Sequence, residues 1–132
     1  MLGNLITYLT GKPPYMSPGQ CEAFVDAIVY AMMADKVVDP DEMKKVEDLA
    51  DKLPWSGPGS AAGYIRTAMV RASGNQNFVH DAEPYLYQIS VSLGSQEVRE
   101  YTRKACLKVV AADGEETRTE AALVELINRA FA

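Results

Sequence analysis

The sequence is poor in the residues that most protein chemistry requires. It holds one histidine, two cysteines and one tryptophan in 132 residues. Cys21 and Cys106 lie far apart, in no Cys-x-x-Cys spacing, each among small apolar residues in a helical pattern. They read as buried reduced thiols, with a disulfide or redox role as the alternative. No stretch of eighteen apolar residues occurs, so no transmembrane segment is expected. The first nine residues lack a basic start and a long apolar centre, which does not fit a signal peptide and makes the cytoplasm the expected location. Runs of basic residues are missing too. With 18 acidic against 13 basic side chains the net charge is −5, which repels phosphate backbones, so nucleic acid is not an expected partner. Peripheral contact with a membrane stays open.

What is present is ordinary globular material, 48% hydrophobic and 23% charged, and the length suits a single domain over 1–132. A chain of this size buries roughly two-thirds of its unfolded surface, enough for a core without staples. No alternating strand pattern stands out, whereas helical start and stop signals recur. Residues 1–16 form an N-terminal segment, with a short helix predicted over 2–10 and ended by Gly11 and Pro13-Pro14. Ser17-Pro18-Gly19-Gln20 is a capping box with proline at the first helical position. The helix behind it carries Phe24, Ile28, Ala31 and Met32 on one stripe and Val25, Val29 and Met33 on the next, so it should be central and end near Asp35. Asp39-Pro40-Asp41-Glu42 opens another helix, with Met43, Val46, Leu49, Ala50 and Leu53 facing inward. After the loop Trp55–Gly59, Ser60 caps a helix that runs to Gly74. Residues 74–80 read as irregular, and a helix from about Asp81 to Leu93 follows, with Pro84 placed in its first turn. Ser95 opens the next helix and Thr117-Arg118-Thr119-Glu120 the last. The expected fold is all-α with about seven helices.

Two stretches match at a constant spacing. Ala34-Asp35-Lys36 aligns with Ala112-Asp113-Gly114, and Glu42 falls on Glu120. Inward positions correspond as well: Ala27 with Ala105, Ile28 with Cys106, Met32 with Val110, Val46 with Val124, Leu49 with Ile127 and Leu53 with Phe131. This predicts two helical halves related by a pseudo-twofold axis, each closing the core of the other.

A long apolar helix, then Ala-Asp-Gly, then a short loop and a capped helix bearing Glu, resembles the tellurite-resistance TerB-like family over about residues 20–131. The resemblance implies an all-helical fold of about seven helices in two such halves. It also implies a non-enzymatic stress-response protein with an acidic surface cluster of the kind for which divalent-cation binding has been proposed. The signature is intact at Ala112-Asp113-Gly114, while Lys36 replaces its glycine in the first half, so that bend is expected to be shaped differently.

The acidic residues at the two bends are the main site candidate. Asp35 and Asp113 should each end a buried helix, where a carboxylate opposes the helix dipole by about 0.3–1 kcal/mol. One reading makes each a latch onto the amides of the following helix. The other has a divalent cation held by Asp35, Asp39 and Glu42 in one half and by Asp113, Glu116 and Glu120 in the other, because hard cations favour oxygen donors. An EF-hand does not fit: the twelfth position counted from Asp35 is Val46, and from Asp113 it is Val124. His80 beside Asp81 lacks a nucleophile or second histidine and reads as a loop residue capping a helix. Trp55 is either a partner anchor or folded back onto the core, and Met32, Met33 and Met69 read as core filler. The expected function is therefore a non-enzymatic module acting through contacts with other proteins, such as those of a tellurium-resistance complex, with a divalent cation as the only candidate cofactor. The alternative is a metal-free helical scaffold or adaptor of the kind attached to cochaperones.

Overall fold

A computed structural model of the chain describes residues 13–34, 38–55, 61–112 and 118–132, the side chains of 61, 62, 79, 118 and 119 excepted. Six α-helices and no strand occur among them: α1 (Pro18–Met33), α2 (Pro40–Asp51), α3 (Ala61–Ser73), α4 (Phe78–Leu93), α5 (Gln96–Val110) and α6 (Arg118–Ala130). The segment over 2–10 and the loop after Trp55 lie outside the described residues.

Helix α1 is the axis around which the others assemble. Every residue from Ala23 to Met33 is buried, as expected for a helix apolar on more than one side. It packs against α2, α3, α4 and α5; α2 also touches α3 and α5, while α6 lies on α4 and α5. The start of α1 is a full capping box. Ser17 Oγ accepts from Gln20 N–H at 3.2 Å and Gln20 Oε1 accepts from Ser17 N–H at 2.8 Å. The same glutamine donates Nε2–H to the Leu93 carbonyl at 2.8 Å. One side chain thus closes the N-terminus of α1 and fastens it to the end of α4. There Gly94 adopts φ +75°, a conformation glycine tolerates best, and turns the chain into α5. Ser95 caps α5 by accepting from Val98 N–H at 3.3 Å.

The start of α4 differs from the sequence expectation. The helix begins at Phe78, so residues 78–80 are helical, His80 lies in the first turn and Pro84 is the seventh residue. Asn77 at the N-cap makes no side-chain capping bond; Asp81 Oδ2 instead accepts from Asn77 N–H at 3.2 Å. That reversed cap carries none of the usual sequence signal. Pro84 cannot donate to the His80 carbonyl four residues back, and the helix absorbs the loss because both residues are exposed to water.

Paired positions of the two hairpins share their burial. Ala27 and Ala105, Ile28 and Cys106, Met32 and Val110, Leu49 and Ile127, and Leu53 and Phe131 are all buried; Val46 is buried and Val124 half-buried. Their surroundings differ, since α2 leans on α3 and α6 on α4. Both cysteines are buried free thiols, and burial pushes each above its ordinary pKa. Trp55 packs against the core and donates Nε1–H to the Ala50 carbonyl at 2.8 Å. Met32 and Met33 are core residues, and Met69 is half-buried against the core. Among the described residues no helix is long and apolar enough to cross a membrane.

Candidate functional site

Of the six acidic candidates, Asp35, Asp113 and Glu116 lie outside the described residues. Asp39 is the N-cap of α2, and its Oδ1 accepts from Asp41 N–H at 2.8 Å. Glu42 and Glu120 each stand third in their helix, α2 and α6, and both are buried, at 2% and 5% exposure. A glutamate at that position of an exposed helix start would normally sit in water. These two instead lie inside the fold, soon after Asp35 and Asp113 in the sequence. Carboxylate oxygens are the hard donors that calcium, magnesium or manganese accept, so the donor chemistry fits. Among the described residues no group of three or more histidine, cysteine, aspartate or glutamate side chains gathers at metal-binding distance.

A second site emerges from the structure alone. Asp26 occupies the middle of α1, only 5% exposed. The Tyr64 hydroxyl, on α3, lies 3.1 Å from both of its carboxylate oxygens, and Arg71 Nη1 stands 3.5 Å from one of them. The Arg71 side chain is 57% exposed and reaches in from the rim. Burial raises the Asp26 pKa to about 6, with Arg71 and then the Tyr64 bond pulling in the opposite direction and Glu22 adding a smaller upward push. Above the carboxylate opens a cleft of about 380 Å³ between α1, α3 and α4, to which Ser17, Gln20, Glu22 and Ser92 also contribute. Periodicity gave no hint of it. Asp26 falls between the two apolar stripes of α1, and the residues that enclose it are 38 and 45 positions away. The one available signal was a carboxylate midway along a helix otherwise apolar on two sides.

A third feature is a groove of about 560 Å³ between α4 and α6. Pro84, Tyr87, Leu126 and Ala130 supply its apolar lining, and His80, Glu83 and Arg129 its polar edge. Tyr87 is 65% exposed, and Val91, one turn further along α4, 64%. Among the described residues that line it, no serine, threonine or cysteine stands with His80.

The family model described as Tellurite resistance protein TerB matches residues 21–132. The chain belongs to the TerB family. The match takes in all of α2 to α6 and α1 from Cys21 onward, and with them all six acidic candidates. No curated protein and no solved structure gives a significant match. Within this TerB domain the structure shows the helical fold and the two buried glutamates.

Proposed function

We propose that this TerB-family chain is a non-enzymatic module of a tellurite-resistance-type stress response, working through protein contacts and taking a divalent cation at its acidic bends. The observation that carries this reading is the burial of Glu42 and Glu120 at matching places, each just beyond a bend with an aspartate at its start. On this view the two hairpins are a duplicated unit. Each bend supplies oxygen ligands from both sides, Asp35 with Asp39 and Glu42, and Asp113 with Glu116 and Glu120. Protein contact has its own support in the groove between α4 and α6, where an exposed aromatic borders an apolar floor.

A second reading, a metal-free scaffold or adaptor domain, is favoured by the Asp39 cap, which spends one carboxylate oxygen on the backbone. Titration of calcium, magnesium, manganese or zinc separates the two. With a cation site, amide signals flanking residues 35–42 and 113–120 shift saturably, and Asp113→Asn folds normally but loses the response in its half. With latches alone no signal shifts at millimolar metal, and Asp113→Asn loses about 0.5–2 kcal/mol of stability whether or not metal is present.

A further inference from the structure

The Asp26 carboxylate is only partly satisfied. An ionised carboxylate offers about four acceptor positions. Tyr64 has one hydroxyl proton to share between two oxygens at 3.1 Å, and Arg71 adds a single long contact at 3.5 Å rather than a two-point fork. The side chain of Asp26 is only 8% exposed, so only water held in the cleft can reach its remaining acceptor positions. The space above it, about 380 Å³, has room for roughly ten waters. Glu22 stands one helical turn away on the same face of α1 and lines the same cleft, bringing a second negative charge. Two carboxylates repel an anionic guest, and an apolar one would strip Asp26 of solvent without return. On α4 the Tyr85 hydroxyl, buried without a hydrogen-bond partner among the described residues, feels the Asp26 charge but does not line the cleft.

We propose that the cleft over Asp26 binds a small cation bearing N–H donors, an alkylammonium or guanidinium group, with Asp26 as counter-ion and Arg71 as the internal placeholder that the guest displaces. The guest's N–H groups fill the acceptor positions that Tyr64 leaves open. Glu22 adds to the field, and Ser17 and Ser92 offer hydroxyl oxygens at the mouth. This site is independent of the acidic bends.

The test is an amide-resolved NMR titration of the whole chain with n-butylammonium and with methylguanidinium chloride. Tetramethylammonium chloride, which has no N–H, and sodium chloride serve as controls at equal ionic strength. Saturable shifts are expected at Gln20, Ala23, Tyr64 and Ser92 with the two donor cations and not with the controls. Arg71→Gln should tighten binding about tenfold by removing the placeholder, and Asp26→Asn should abolish it. The groups facing Asp26 are Glu22 on α1, Tyr64 and Arg71 on α3 and Tyr85 on α4. Asp26 takes up a proton near pH 6, so affinity should fall as the pH drops through about 6. The proposal is overturned by absence of a saturable shift in Arg71→Gln, by an equal response to tetramethylammonium, or by undiminished binding in folded Asp26→Asn. Should Asp26→Asn fail to fold, the Arg71→Gln titration and the pH profile decide alone.

Discussion

A carboxylate at the centre of the most enclosed helix has a cost that depends on proton concentration. Asp26 illustrates it. Its pKa is raised from 3.8 to about 6, so between those values the folded protein holds a proton that the unfolded chain has released. The contribution of Asp26 to stability is then greatest below the unfolded value and declines as the pH climbs toward 6. The effect is worth about 3 kcal/mol at most, from roughly two pH units at 1.36 kcal/mol each. Urea denaturation at closely spaced pH values should show this slope in the wild type. Asp26→Asn, which keeps an oxygen for the Tyr64 hydroxyl, should flatten the segment; an unchanged slope would assign it to another group. Nothing near Asp26 in the chain announces this behaviour. Burial of a side chain is decided by what packs over it, and here that is Tyr64 and Arg71 on another helix. By contrast, Glu42 and Glu120 stood out in the sequence because their position relative to a helix start is a local property, although their burial was not legible there.

Elements were easiest to read where their ends are fixed by neighbouring residues. Ser17 with Gln20, Asp39 before Pro40, and Ser95 before α5 all act as caps where the sequence places them, because a cap involves only three or four consecutive residues. Helix α4 escaped this logic. Its cap runs backward from Asp81 to Asn77, and its proline sits past the first turn, where a proline ordinarily argues for a break. Packing overrides the local preference: Ala82, Tyr85, Leu86, Ile89 and Leu93 are all buried and draw the helix along the core. The proline is thus a tolerated cost, and the exposed position should accept a better helix former. Pro84→Ala restores a donor for the His80 carbonyl at the expense of a freer unfolded chain. The net gain expected is about 1 kcal/mol, seen as a higher urea midpoint. A loss of stability would mean that the ring itself supports the α4–α6 groove it lines.

At the scale of the whole molecule, the question is whether the helices on either side of α1 melt as one. Phe131 is a sharp probe of it. It follows the last residue of α6, where helix ends usually fray, yet it is 1% exposed and its N–H bonds the Ile127 carbonyl at 3.1 Å. Helix α6 rests on α4 and α5. Trp55 sits on the other side of the assembly, beside Tyr64 at a ring separation of 6.1 Å. Phe131→Ala should cost about 3–5 kcal/mol, the usual loss for a large buried ring. Because α1 touches both α3 and α5, the loss should be felt throughout. Trp55 fluorescence and far-ultraviolet circular dichroism should then shift to the same lower urea midpoint, as a single cooperative transition requires. If helicity falls first while the tryptophan signal holds, α6 and its contacts unfold separately, and the axis formed by α1 does not couple the two sides. The outcome also bears on function, since the groove between α4 and α6 can serve as a standing docking surface only if its far wall stays folded under the conditions that keep the core intact.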